Sequence, residues 1–238
     1  MRVVVTRSAE DASALSTKLA AAGFAVTEVP TIRIADALDG GAALRDALRD
    51  PSVFEWVVVT SRHGAARVAE ALGDRRDGVK LAVIGPATAA AARHLGLAVE
   101  LVPDRFVAEG LLEVFPRPGD GPNRALVAQA DLARPTLVDG LRALGWEVTA
   151  LTAYRTVAAE ISPAMVDAVS RADAVAFTSA STVENFVAAL GPERVPPVVA
   201  CIGPVTEEAA RRHGLEGIVV AETHTLDGLV ATLAQGVS

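Results

Sequence analysis

The feature that most constrains this chain is a repeat. The run Trp56 to Ser61 returns at Ala174 to Ser179, so that Thr178 follows Thr60 by 118 residues. Ile84-Gly85-Pro86 returns as Ile202-Gly203-Pro204, Gly96-Leu97 as Gly214-Leu215 and Gly110-Leu111 as Gly228-Leu229, all at the same spacing of 118. Upstream a second register holds: Arg2, Leu15, Leu19, Gly23, Val26 and Arg33 match Arg124, Leu137, Leu141, Gly145, Val148 and Arg155 at a spacing of 122. A constant spacing across separated motifs marks an internal duplication.

Each half alternates strand and helix. In the first, strands are expected near Val3–Thr6, Ala25–Val29, Trp56–Thr60, Leu81–Ile84 and Val99–Val102. Helices are expected near Asp11–Ala22, Ala42–Arg49, His63–Leu72, Ala87–Leu95 and Ala108–Phe115. The strands are short, Val-rich and apolar throughout, which suits a parallel sheet covered on both faces. Gly23, Gly73 and Gly96 stand where helices should end. Alternating segments of this length imply right-handed crossovers and a doubly wound α/β sheet of about five strands per lobe. Two such lobes account for the chain.

Composition narrows the function. Apolar residues make up 51% and charged residues 21%, ordinary for a globular protein. A net charge of −7 argues against nucleic acid as a partner, which needs clustered Lys and Arg. An anionic ligand must then be met locally, by a few arginines and by backbone N–H groups. With Cys201 the only cysteine there is no disulfide framework, and a reducing cytoplasm is the expected setting. The chain opens on the strand Val3-Val4-Val5 without a basic leader, and no apolar run approaches the roughly 20 residues that span a bilayer, so no membrane is expected.

In open parallel sheets ligands bind at the carboxyl ends of the strands, where loops enter helix N-termini. Two such corners are Thr60-Ser61-Arg62 and Thr178-Ser179-Ala180-Ser181. Their hydroxyls read as N-caps, and the N–H groups left over can bind an anion; the two roles coexist. In the corners Gly85-Pro86-Ala87-Thr88 and Gly203-Pro204-Val205-Thr206, proline suits the first helical position, and Thr88 and Thr206 could turn their side chains toward a cleft. Neither corner is a dinucleotide fingerprint or a P-loop. Arg7 and Arg62 leave strand ends directly and suit bidentate recognition of carboxylate, whereas the position matching Arg7 is Gln129.

No metal or nucleophile signature emerges. His63, His94, His213 and His224 are scattered, Cys201 sits in an apolar strand as a core residue would, and there is no GxSxG elbow. Tyr154, the only tyrosine, lies at a strand end in Ala153-Tyr154-Arg155-Thr156, and its repeat counterpart is Ile32. It reads either as packing with a wet hydroxyl or as a hydrogen-bond donor and weak general acid.

In their order, these motifs resemble uroporphyrinogen-III synthase along the full chain. The matches are Val5-Thr6-Arg7, both Thr-Ser strand ends, both Ile-Gly-Pro-x-Thr corners, Ala153-Tyr154-Arg155-Thr156 and Ala221-Glu222-Thr223-His224-Thr225. The resemblance implies a cofactor-free, metal-free lyase of porphyrin and heme biosynthesis. It would close the linear tetrapyrrole hydroxymethylbilane, which carries eight carboxylates, with loss of water and inversion of the last ring through a spiro intermediate. Tyr154 would assist departure of the hydroxyl. Thr88, Ser179, Thr206 and Thr225, with backbone amides, would hold carboxylates, beside the corner residues Arg7, Thr60, Ser61, Arg62, Thr178 and Ser181. The implied fold is two flavodoxin-like lobes, 1–35 with 157–238 and 36–156, joined by linker strands near 30–36 and 152–158 around a shared cleft, in a monomer. Gln129-Ala130-Asp131 departs from the more basic, glycine-containing loop the resemblance leads one to expect. Alternative readings are a non-catalytic tetrapyrrole-binding regulatory module of the same fold, one domain of a larger tetrapyrrole fusion, and a periplasmic-type binding protein.

Overall fold

A computed structural model of the protein describes residues 1–6, 9–76 and 78–235. In chain order it runs β1 (Arg2–Val5), α1 (Ala9–Ala21), β2 (Ala25–Glu28), β3 (Ile32–Asp36), α2 (Ala42–Ala47), β4 (Trp56–Val59) and α3 (Arg62–Leu72). There follow β5 (Leu81–Val83), α4 (Pro86–His94), β6 (Val99–Leu101), α5 (Ala108–Val114), β7 (Arg124–Ala130), α6 (Thr136–Ala143) and β8 (Glu147–Ala158). The chain closes with α7 (Pro163–Ser170), β9 (Ala174–Phe177), α8 (Ala180–Leu190), β10 (Val198–Cys201), α9 (Pro204–Arg212), β11 (Ile218–Val220) and α10 (Leu226–Gln235). It divides into two compact units, Met1–Arg33 with Val157–Ser238, and Ile34–Thr156.

The first unit holds a five-stranded sheet ordered β11-β10-β9-β1-β2, whose pairings are parallel. Successive side chains of a strand point to opposite faces, and the core divides accordingly. Val4, Val175, Phe177, Val199 and Cys201 pack with Val183 and Phe186 of α8 and Ala209 of α9. Val3, Val5, Ala174, Ala176 and Ala200 pack instead with Leu15 and Leu19 of α1 and Leu229 of α10. Both faces are therefore dry, which is why the strands read as continuous apolar runs.

The second unit holds a six-stranded sheet ordered β3-β8-β7-β4-β5-β6, with β8, β7, β4, β5 and β6 paired in parallel. Val57, Val59, Leu81, Val83, Leu126 and Ala128 meet α2, α3 and α4 on one face. Trp56, Val58, Ala82, Ala125 and Val127 meet α5 and α6 on the other. The pairings of the two units share registers. Arg2 faces Ala25 and Arg124 faces Glu147, each pair 122 residues from its counterpart. Val57 faces Leu81 and Val175 faces Val199, each 118 residues apart.

Most expected elements occur within two residues of their sequence-derived bounds. Gly73, Gly96 and Gly23 take positive φ at or just after helix ends, where a Cβ would be strained. Two expectations need correction. The second sheet has six strands, because β3 joins it. Tyr154 does not end a strand: β8 runs on to Ala158 as one 12-residue strand. Among the described residues no helix is long and apolar enough to cross a membrane.

Candidate active site

The strand-to-helix corners of the second unit are built by capping. Ser61 holds extended backbone at φ −150° and ψ 160°, and its Oγ accepts the Gly64 N–H at 3.0 Å, so it caps α3. A serine oxygen so used leaves its own proton free to be given elsewhere. Ser61 gives it to Tyr154, with Oγ to Oη at 3.0 Å. Tyr154 itself is only 7% exposed and belongs to the apolar cluster of that face, its ring 5.6 Å from the His63 ring at 57°. The Tyr154 hydroxyl thus has a fixed hydrogen-bond partner in a part-buried setting.

The matching corner of the first unit spends its hydroxyls differently. Ser179 and Thr182 form a reciprocal capping box at the start of α8, with Thr182 N–H to Ser179 Oγ at 3.3 Å and Ser179 N–H to Thr182 Oγ1 at 3.2 Å. Ser181 Oγ lies 3.0 Å from Ser179 Oγ. Thr178 is half-buried and Ser181 exposed. Thr225, also exposed, accepts the Gly228 N–H at 3.1 Å ahead of α10.

The Gly-Pro corners behave as a second matched set. Gly85 and Gly203 stand before α4 and α9 in extended backbone, with proline next and no side chain capping either helix. Phe106 lies over Gly85 and His224 over Gly203, 118 residues apart like the glycines beneath them. Thr88 and Thr206 do not present themselves as expected. They are buried, 8% and 3% exposed, because the third position of each helix turns back into the unit.

A concavity of about 320 Å³ opens at the carboxyl edge of the second sheet, lined among others by Thr60, Phe106, Val107, Gln129, Arg134 and Leu137. Thr60 is the chain neighbour of Ser61, and Ala130, also in the lining, is the cross-strand partner of Tyr154. Arg134 is the one charged residue in this lining and makes no ion pair among the described residues. Phe106 is 58% exposed, an uncommon state for a phenylalanine in a chain that is 4% aromatic. Sequence reasoning missed both. It read the corner after β7 as lacking a cation at Gln129, whereas Arg134 sits in the same loop just before Pro135-Thr136 opens α6. A basic residue ahead of a helix start was the available signal. Arg62 is exposed at the first position of α3, and Arg7 lies outside the described residues.

This arrangement offers helix N-termini at the strand ends and one tyrosine whose hydroxyl has a fixed hydrogen-bond partner. Comparison with known proteins points to one family. The family described as Uroporphyrinogen-III synthase HemD matches residues 13–231. A uroporphyrinogen-III synthase candidate of Methanothermobacter thermautotrophicus is 31% identical over 98% of this chain and 97% of its own. The uroporphyrinogen-III synthase of Synechococcus elongatus is 29% identical over 98% of this chain and 94% of its own. In fold, the crystal structure of uroporphyrinogen-III synthetase from Helicobacter pylori covers the whole of both chains at a TM-score of 0.68 and 15% identity. The chain belongs to the uroporphyrinogen-III synthase family.

Proposed function

We propose that this protein is a uroporphyrinogen-III synthase: it takes hydroxymethylbilane, releases water and closes the macrocycle with the last ring inverted. The observation that carries the reading at the level of residues is the Ser61–Tyr154 hydrogen bond. Departure of a hydroxyl from the substrate needs a proton. A phenol already accepting a hydrogen bond gives its own proton more readily, because hydrogen bonds in a chain polarise one another. Tyr154 is therefore the general acid at the leaving oxygen. The electron-poor carbon left behind is attacked by the substituted carbon of the last ring, which gives the spiro intermediate. The bond from that substituted carbon to the methylene of the preceding ring then breaks. The free carbon of the last ring bonds to the released methylene, and the proton it sheds restores the phenol, so that the net change is loss of one water.

Most of the catalysis is positioning. The bilane is flexible, and selecting the inverted closure requires holding its ends in one geometry. The concavity beside β4 and β7 takes one end of the substrate, with Phe106 against a pyrrole face and Arg134 on a carboxylate. Thr60, Arg62, Thr178, Ser181 and Thr225, and Arg7 by its sequence position, hold further carboxylates. The corners of Ser179 and of buried Thr88 and Thr206 contribute through helix N-terminal amides, which favour anions.

The same reading takes the chain as a duplicated pair of flavodoxin-like lobes whose halves have exchanged partners through linker strands β3 and β8. In the first unit the strand order corresponds to 2-1-3-4-5 read from β2, the doubly wound pattern. In the second, β7 and β8 stand where β1 and β2 do, and β4, β5 and β6 where β9, β10 and β11 do. The shared registers at spacings of 122 and 118 support this correspondence.

The deciding experiment supplies hydroxymethylbilane and separates the uroporphyrinogen isomers. Spontaneous closure yields isomer I, so formation of isomer III in excess is the expected result. A product ratio identical with and without the protein would end the synthase reading.

A further inference from the structure

We infer that Ser61 is a positioning residue that acts through Tyr154, rather than a ligand of the substrate; the inference rests on the synthase reading above. Three observations carry it. Ser61 Oγ is committed on both sides, accepting from the Gly64 N–H at 3.0 Å and donating to Tyr154 Oη at 3.0 Å. A hydroxyl has one proton to give, so a Ser61 that donates to the phenol cannot also donate to a carboxylate. The Tyr154 side chain packs into an apolar cluster, and Ser61 is the one residue among those described that hydrogen-bonds to its oxygen.

The third observation is the contrast with the duplicate corner. Ser179 matches Ser61 and caps its helix in the same way, yet its hydroxyl pairs with Thr182 and Ser181, and Ile32 stands at the position matching Tyr154. Where the duplicate has Thr182, this corner has Gly64, on which a Cβ would meet the Ala128 carbonyl oxygen at 3.2 Å and Ser61 Oγ at 3.4 Å. Gly64 thus removes the side chain that engages the capping serine in the other copy, and Tyr154 takes up that hydroxyl. The cap anchors the serine to the first turn of α3, and the serine sets the direction in which the phenol proton points.

The chain has a single tyrosine, which permits a test that needs no turnover. The ring Fermi doublet in the Raman spectrum of tyrosine reports whether its hydroxyl accepts or donates a hydrogen bond, and here the whole signal is Tyr154. Three substitutions separate the roles. Ser61→Thr keeps both the cap and the donation. Ser61→Asp keeps the cap, since aspartate is a good N-cap, but can only accept. Ser61→Ala loses both.

The doublet is expected to stay at its wild-type ratio in S61T, to lose acceptor character in S61A and to turn toward donor character in S61D. Formation of isomer III should fall roughly fivefold to tenfold in kcat in S61A, with KM unchanged, as the loss of one hydrogen bond implies. That loss should vanish when S61A is made in a Tyr154→Phe background. A doublet that does not move in S61A or S61D, or a KM that rises while kcat holds, overturns the positioning role. These outcomes require a wild type that makes isomer III; a wild type that does not overturns the synthase reading and the catalytic meaning of the pair together.

Discussion

Tyr154 faces Ala130 across β8 and β7 one residue beyond a shift of register, and Ala153 is the residue inserted. Before the shift Gln129 faces Thr152 in regular pairing. Adjacent residues of a regular strand point to opposite faces, yet Ala153 and Tyr154 both belong to the same apolar cluster. The irregularity re-aims the tyrosine, as bulges beside active sites do. Because the phenol is then held by packing as well as by Ser61, Tyr154→Phe should leave the fold intact. We expect it to lower isomer III formation by about 100-fold and Tm by no more than about 4 °C. Isomer-resolved chromatography beside thermal circular dichroism checks both, and wild-type turnover in the variant would remove Tyr154 from the mechanism.

Arg134 tests the concavity. If its guanidinium holds a substrate carboxylate, Arg134→Ala should raise KM roughly tenfold and leave kcat nearly unchanged. Lysine at this position should recover only part of the loss, since it lacks the bidentate fork. Steady-state kinetics of the two variants decide it, and an unaltered KM would place the carboxylate elsewhere.

Gly110 and Gly228, 118 residues apart, make a paired prediction. A Cβ built on Gly110 would fall well inside contact distance of the Arg105 carbonyl oxygen, and one on Gly228 would do the same to Thr223. Neither carbonyl can move without disturbing the helix start beside it. Each Gly→Ala change should therefore destabilise its own unit by about 2 kcal/mol, measured by urea unfolding. Gly119→Ala, which meets nothing within 4 Å, should stay within about 0.5 kcal/mol of wild type.

Cys201 is a fourth test. Burial, reinforced by the Glu207 carboxylate, pushes its thiol up to about 11 from 9.0. The native thiol should react slowly with a chromogenic thiol reagent at neutral pH and quickly once the chain is denatured. The linkage has a definite sign. Between pH 9 and about 11 the unfolded chain loses the thiol proton while the folded one keeps it, so stability falls as pH rises through that window. Cys201→Ala should remove that part of the pH dependence in denaturant titrations. A native thiol labelled as fast as the denatured one would show that it is not enclosed as described.

The sequence by itself determined a good deal. The apolar runs at Val3, Trp56 and Ala174 read as strands dry on both faces, and the serines at 61 and 179 read as caps where those strands end. The constant spacings of 118 and 122 announced matched corners, and Gly85 with Gly203 and Gly110 with Gly228 behave as pairs in the structure. These signals are local: each depends on a few neighbouring residues, and periodicity, capping and turn chemistry operate at that range.

What the tertiary structure alone decided depends on distant strands. Pairing Gln129 with Thr152 and Ala130 with Tyr154 sets one strand against another, and no window around Tyr154 contains that register. The contact between Ser61 and Tyr154 spans 93 residues of chain. Arg134 and Phe106 meet in one concavity only because β5 and β7 flank β4 in the second sheet. Thr88 and Thr206, read as cleft-facing, turned out buried because the rotation of a helix about its axis is settled by what it packs against. The two corners are alike in sequence; the packing of β8 made one of them hold a tyrosine.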